Sequence, residues 1–434
     1  MAAHSNADEL SGRISILVYT LKCRVMRLMR TLVLCLAVTA CGAPDVVPPP
    51  AAAGPFDSDL SFLRQHTDVV VLSDAAGRSR VIVAPEYQGR VLTSTTGGDI
   101  APSFGWIGRT AIAARARQPH INVFGGEDRF WLGPEGGQYA LYFKAGDPFD
   151  LAHWQVPEPI DWGPWDIASQ STSSVQLRKR MSLVNYSGTQ FELDVERTVR
   201  MLNADAFQQF PQHQRTMIGS GVQMVAFESS NTVTNAGKAA WAPKGGLVSI
   251  WILGMFVPSP QTTIVIPYVP GRVSDSGPVV NDKYFGPVPP DRLRVREDVV
   301  LFKGDGQYRS KIGLSPLRAF PVFGSYDAAA HMLTLVHYTK GGNGVPDYVN
   351  SMWEMQKEPY KGDVINSYND GPPEPGKSPL GPFYELETSS PALNLEPGQS
   401  YTHVHRTFHL VGPEVELDRL SRAVLKVSIK DLSF

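Results

Sequence analysis

Short apolar runs and alternating segments recur along most of the chain. Segments 67–72 and 79–84 are rich in β-branched residues, and turn residues from Asp74 to Gly77 separate them, so they predict an opening hairpin that 85–92 continues. Further strand-like segments lie at 139–143, 174–184, 191–201, 223–233, 247–256, 263–268, 298–303 and 333–338, with turn residues between them. Residues 417–425 have the apolar spacing of one short helix before a last strand. Residues 381–390 read as a strand that turns through Leu395, Glu396, Pro397 and Gly398 and returns over 401–410 as a polar-faced hairpin. No fixed-period repeat is present, and no proline-rich linker interrupts the chain after Phe56. The pattern therefore predicts one all-β domain over 58–434, a large antiparallel β-sandwich with few short helices.

Composition agrees with many turns. The 434 residues include 39 glycines and 35 prolines, which favours short strands over long helices. A formal net charge of −2 with no long basic run sets aside a nucleic-acid partner. All three cysteines, Cys23, Cys35 and Cys41, lie near the N-terminus, leaving the rest of the chain none for a disulfide or a zinc–thiolate site.

The N-terminal region divides into three. Residues 1–25 fit no signal pattern and read as an extension ahead of a start at Met26 or Met29. In 26–40, Arg27 and Arg30 precede an apolar run at 31–38, too short to span a bilayer but suited to the core of a secretory signal. Val38-Thr39-Ala40-Cys41 resembles the lipobox of bacterial lipoproteins, which implies lipidation at Cys41 and membrane attachment at the bacterial cell envelope. Gly42 resembles outer-membrane sorting. Residues 41–57 are rich in proline and alanine, with Pro48, Pro49 and Pro50 consecutive, and predict an extended tether.

Candidate chemistry gathers in three clusters. Strand alternation puts Glu385 and Glu387 on one face, with Tyr384 and Leu386 on the other; on the return segment His403, His405, Thr407 and His409 share a face. Register decides whether those carboxylates and imidazoles meet. The second cluster holds His120, Glu127, Asp128, Arg129, Trp131 and Glu135 around paired Gly125 and Gly126. An aromatic plane beside charged hydrogen-bonding groups suits a sugar ring, which offers an apolar C–H face and a rim of hydroxyls. The structural alternative is an Arg–carboxylate pair at a sheet end with tryptophan in the core. The third cluster supplies Trp353, Glu354, Asn369 and Asp370, the last two also reading as turn chemistry before Gly371.

Trp154, Trp162 and Trp165 lie in a proline-broken segment that either walls a cleft or plugs an open end of the sandwich. His403 and His405 have a spacing compatible with metal chelation, although hydrogen-bonded histidines on a sheet are commoner. Asn281, Asp282, Asn366 and Asp370 offer scattered oxygens without a contiguous calcium loop. No cofactor is expected. The chain has no His-Glu-x-x-His helix, phosphate-binding loop, Gly-x-Ser-x-Gly elbow or dinucleotide fingerprint, so protease, kinase and dehydrogenase readings lack support.

Three stretches carry a family resemblance. Residues 85–91 (PEYQGRV) resemble the early strand of aldose 1-epimerases, and 125–135 (GGEDRFWLGPE) resembles a motif of uncharacterised relatives. Leu386, Glu387 and Thr388, followed by 395–401 (LEPGQSY), resemble the late epimerase segment that carries the catalytic base. On these residues the chain resembles the galactose-mutarotase-like superfamily, and in particular an uncharacterised group of bacterial lipoproteins within it. The resemblance implies a mutarotase-like supersandwich, a carbohydrate ligand and the base role for Glu387.

The pattern departs at the epimerase acid. A histidine is expected after Thr234 and Asn235, but the matching positions hold Val248 and Ser249. The expected function is thus an envelope lipoprotein that binds a carbohydrate, with epimerase-like or glycan-cleaving acid–base chemistry through Glu387 partnered by Glu385, His403 or His405. The alternative is a non-catalytic glycan-binding or scaffold protein.

Overall fold

The computed structural model describes residues 56–97, 103–210, 217–341 and 347–434. The N-terminal extension, the signal segment, Cys41 and the tether up to residue 55 lie outside the described residues. Among the described residues no helix is long and apolar enough to cross a membrane.

Among the described residues, eighteen strands make up the domain. The first nine are β1 (Val70–Ser73), β2 (Arg80–Ala84), β3 (Arg90–Thr95), β4 (Arg129–Gly133), β5 (Asp166–Gln170), β6 (Ser174–Val184), β7 (Gln190–Met201), β8 (Gln223–Asn235) and β9 (Ser249–Phe256). The rest are β10 (Thr262–Pro267), β11 (Leu293–Val295), β12 (Val299–Lys303), β13 (Ser310–Leu314), β14 (Val322–Asp327), β15 (Met332–Tyr338), β16 (Ile365–Asn369), β17 (Tyr384–Ser389) and β18 (Ser400–Val411). The small sheet β1-β2-β3 is the expected opening unit. A ten-stranded sheet runs β11-β12-β10-β14-β15-β18-β8-β7-β6-β5, and a five-stranded sheet runs β13-β16-β17-β9-β4. Every pairing between named strands is antiparallel, so the expected all-β class holds.

Patterning explains where each strand sits. In β7, Phe191, Leu193, Val195, Arg197 and Val199 are buried, while the residues between them face outward or lie part-buried, as in a strand with one wet face. By contrast β9 and β10 are buried along their whole length and read as nearly continuous apolar runs. Between the sheets, Tyr384 and Leu386 of β17 pack with Phe302, Phe323, Val336 and Tyr338. The helix Glu414–Leu425 buries Leu417, Leu420, Val424 and Leu425 in a cluster with Leu333, Leu335, Phe408 and Leu410 of the large sheet.

Three expectations are corrected. The 381–390 and 401–410 segments are both strands but not a hairpin: β17 lies between β16 and β9, whereas β18 lies between β15 and β8 in the other sheet. Alternation specifies a strand's faces, not its partner. The connection is also pinned along the way, by the Val248–Leu393 bridge and by backbone bonds from Trp241 to Leu395 and from Gly398 to Asn235. Residues 139–143 form turns rather than a strand, with Ala140 N–H donating to Gly137 and Leu141 N–H to Pro134, while Tyr142 and Phe143 are buried. After the final helix the chain makes a 3₁₀ turn at Ile429–Asp431, where Ser428 accepts from Lys430 N–H and Asp418 from Ile429 N–H, so no last strand follows.

Candidate functional site

A cleft of ≈ 980 Å³ opens over the five-stranded sheet. Strand register builds its floor. Lys311 pairs with Tyr368, Tyr368 with Glu385 and Glu385 with Met255, so four strands supply one row of side chains to the same face. In the next row Glu387 and Arg129 flank Leu253 from opposite sides. Trp131 of β4 and Trp251 of β9 are also register partners, with ring centroids 5.7 Å apart and edge to face. Loops complete the walls with His120, Glu135, Trp154, Phe285, Trp353 and Asp370.

Two ion pairs organise the floor. Arg129 Nη2 donates to Glu385 Oε1 at 2.6 Å, and its guanidinium lies 4.2 Å from the Trp131 ring centroid. Lys311 Nζ donates to Glu387 Oε2 at 3.1 Å and lies 4.6 Å from the Trp251 ring centroid. Trp251 Nε1 donates to that same Glu387 oxygen at 2.9 Å. Each carboxylate is therefore paired with a cation that also caps an indole face.

Burial raises the proton affinity of several acids here. The Glu385 carboxyl is pushed up by burial, with Arg129 opposing and neighbouring Glu387 reinforcing the shift. Glu135 is raised by burial against the pull of Lys311, with Glu387 adding to the rise. Asp370 is pushed up to about 6 by burial, moderated by the Gly381 N–H and the Tyr368 hydroxyl. Burial alone would lower Lys311, but Glu387, Glu135 and Glu385 together raise it, so it stays protonated. Carboxyl groups of raised proton affinity beside a fixed ammonium and aromatic walls can bind hydroxyls and exchange protons with them.

The cleft brings together seven residues picked out in the sequence: His120, Arg129, Trp131, Glu135, Trp353, Asp370 and Glu385. Glu387 lies one layer beneath, fully buried, with Oε1 lacking a hydrogen-bond partner. The tryptophan segment serves both expected roles. Trp154 lines the cleft, whereas Trp165 is buried 5.4 Å from Phe130 between ring centroids.

Five candidates fall elsewhere. His403 and His405 are fully buried on β18, where their Nε2 and Nδ1 atoms respectively lie 2.9 Å from Thr388 Oγ1. Thr388 points away from Glu387 by strand alternation, so these histidines sit on the core side of β17 and are not proton partners for Glu387. Glu127 meets His409 Nε2 at 2.8 Å and Ser94 Oγ at 2.9 Å in the interior. The Val91–Asp128 bridge holds that segment against β3, so the alternation of β4 does not extend back to Glu127. Asn369 is a strand residue committed to the wall, accepting from Gly306 N–H and donating to Asp305 and Tyr308. Glu354 is exposed and does not line the cleft. Among the described residues no three His, Cys, Asp or Glu side chains gather to hold a metal ion.

Sequence reasoning missed Lys311, Tyr368, Phe285 and Arg309 and gave Trp251 no role. The available signal was in β13, where Lys311 and Gly313 alternate with Ile312 and Leu314 in a strand that is buried throughout. A lysine inside such a strand requires a buried acid.

A comparison with curated protein sequences finds no match. Among solved structures, the chain is similar to the Slr1438 protein from Synechocystis sp. PCC 6803 at 13% identity, covering 80% of this chain and 96% of that one, with a TM-score of 0.45. A putative aldose 1-epimerase from Escherichia coli K12 is similar at 12% identity, with 80% and 99% of the two chains covered and a TM-score of 0.44. A galactose mutarotase-like protein from Lactobacillus casei ATCC 334 is similar at 11% identity, with 79% and 100% covered and a TM-score of 0.42. The second and third of these neighbours bear aldose 1-epimerase and galactose mutarotase-like names, as the sequence resemblance does. Residues 54–434 match a family described as "Family of unknown function (DUF6786)", and the chain belongs to that family.

Proposed function

We propose that the protein binds a carbohydrate in the cleft over the five-stranded sheet, with Glu385 as its acid–base group and Glu387 as the buried carboxylate that supports it. One observation carries this reading: two indoles and two buried carboxylate–cation pairs share a single cleft floor. Aromatic faces offer stacking surface to the apolar side of a sugar, and charged groups beside them orient its hydroxyls. Glu385, which reaches the cleft, is the group that exchanges protons with a ligand; burial raises its proton affinity, and Glu387 adds to that rise from beneath.

The competing reading is a glycan-binding protein without turnover. It is favoured by Glu387, which is fully buried and bonded to both Lys311 and Trp251, and by Val248 and Ser249 at the positions where the epimerase pattern needs an acid. Calorimetry with mono- and oligosaccharides, combined with NMR of the anomeric ratio and of any cleavage products, separates the two. In an enzyme, Glu385→Gln and Glu387→Gln abolish turnover and keep binding; a binding protein shows saturable heat with no chemical change in the sugar. Absence of binding to every saccharide sinks both.

The N-terminal sequence supports a lipid anchor at Cys41 and residence at the bacterial cell envelope, on the outer membrane. An acylated Cys41 at the mature N-terminus, detected by mass spectrometry, is the expected result. Release of a Cys41→Ala variant from the membrane fraction checks it independently, and a wild-type protein found unacylated counts against it.

A further inference from the structure

Among the described residues four arginine and lysine side chains line the cleft, and three of them are ion-paired within the protein. Arg109 pairs with Asp59, Arg129 with Glu385 and Lys311 with Glu387. Arg309 has no ion-pair partner among the described residues. The nearby wall acid Asp370 is already engaged, accepting from the Tyr368 hydroxyl at 2.7 Å and from Gly381 N–H at 2.8 Å.

Arg309 is nevertheless held in place. Its guanidinium lies 3.7 Å from the Phe285 ring centroid, and Phe285 is braced edge to face by Tyr368 at 5.9 Å and Trp353 at 6.3 Å. A guanidinium fixed by stacking keeps its in-plane N–H donors available, in the fork that matches a carboxylate. Asp370 and Glu135 feel its charge without making ion-pair contact, so this preorganised group stays open to an anion from the ligand.

The remaining lining limits which anion fits. Asp370, which is ionised above its value of about 6, faces the same space, so at neutral pH a doubly charged phosphate monoester meets more repulsion there than a singly charged, planar group. We infer that the ligand is an acidic saccharide whose uronate carboxylate is received by Arg309 at the Phe285 end of the cleft. This inference rests on the saccharide reading of the cleft and adds the class of sugar.

The test compares uronic-acid oligosaccharides of several epimeric series with their carboxyl-reduced counterparts, which keep the rings and linkages. Calorimetry on the full domain is expected to show at least one uronate series binding roughly ten- to hundredfold more tightly than its reduced form, as a charged hydrogen-bonded pair provides. Arg309→Gln is expected to collapse that ratio towards one. Arg309→Lys keeps the charge without the fork and is expected to fall between, which also covers the case of a glutamine variant that does not fold.

Equal binding of uronate and reduced sugars to the wild type overturns the inference and leaves the saccharide reading standing. So does an acid preference that survives Arg309→Gln. Tight binding of an O-sulfated oligosaccharide with the same Arg309 dependence, and none of the uronates, replaces the carboxylate with a sulfate and overturns the assignment. If no saccharide of any kind binds, both readings fall together.

Discussion

Glu387 and Thr388 are consecutive on β17, and their side chains serve opposite halves of the molecule. Glu387 Oε2 meets Lys311 Nζ at 3.1 Å beneath the cleft, while Thr388 Oγ1 lies 2.9 Å from His403 Nε2 and from His405 Nδ1 between the sheets. One strand therefore separates a compartment of acids and cations from a compartment of neutral imidazoles, and changes on the two sides should be felt differently.

On the cleft side, Lys311→Met leaves the Glu387 carboxylate buried with a single indole donor. Removing one partner of a buried pair costs about 3–5 kcal/mol. Chemical denaturation is expected to show a loss of that size, most of it recovered in the double variant Lys311→Met, Glu387→Gln. A single variant as stable as wild type would show that the pair is not a structural unit.

On the core side, burial pushes the His403 and His405 imidazoles down to about 3 and about 4. Their ordinary value in an unfolded chain is 6.5, so protons bind the unfolded state more tightly. Their contribution is complete above pH 6.5 and is lost as pH falls towards 4, at about 1.4 kcal/mol per pH unit for each histidine. Asp370 acts in the opposite sense. Raised from 3.8 to about 6, it contributes stability that is present below 3.8 and lost as pH rises through 6, so it offsets part of the acid loss. Denaturation midpoints should therefore decline on acidification from pH 7 to 4, and His403→Gln with His405→Gln should flatten the decline. A wild-type profile that stays flat removes this account.

The two kinds of tryptophan in the 154–165 segment and its surroundings predict two kinds of mutant. Trp165→Ala empties a core position against Phe130 and is expected to cost about 3–5 kcal/mol. Trp353→Ala opens the cleft wall, where the indole is only part-buried, and should chiefly weaken saccharide affinity. Thermal melts and fluorescence titrations of both proteins distinguish plug from wall, and equal effects of the two changes on binding would contradict the distinction.

Gly381 is a further lever on the wall. A Cβ there would stand 2.1 Å from Cζ2 of Trp106, whose indole lines the cleft 5.0 Å from the Phe383 ring. Gly381→Ala must displace that indole, at about 1–3 kcal/mol. Expected readouts are a shifted tryptophan emission and a lower affinity for whichever saccharide the wild type binds. Unchanged emission and affinity would mean that Trp106 has room to move.

Much of the fold was legible because its strands are amphipathic or continuously apolar, as in β7 and β9. The face shared by Glu385 and Glu387 followed from alternation alone. What alternation lacks is the partner, which is why β17 and β18 read as a hairpin and the histidines as neighbours of Glu387. For Lys311 the strand pattern called for a buried acid but not for a particular one: β16 and β17 bring Glu387 beside it, and that adjacency joins segments more than 70 residues apart. Arg309 and Phe285 came together only through tertiary structure.

The position of β18 has a consequence for how the molecule is assembled. This strand, at Ser400–Val411, lies inside the ten-stranded sheet between β15 and β8, although it is the last strand in order among the described residues. Until it arrives, the large sheet exists only as two pieces, each with an open hydrogen-bonding edge. A nascent chain leaving the ribosome N-terminus first thus carries both edges unpaired until residues 400–411 have been made. Completion of the sandwich waits for this strand, and the interval before it is when the protein most needs protection from aggregation.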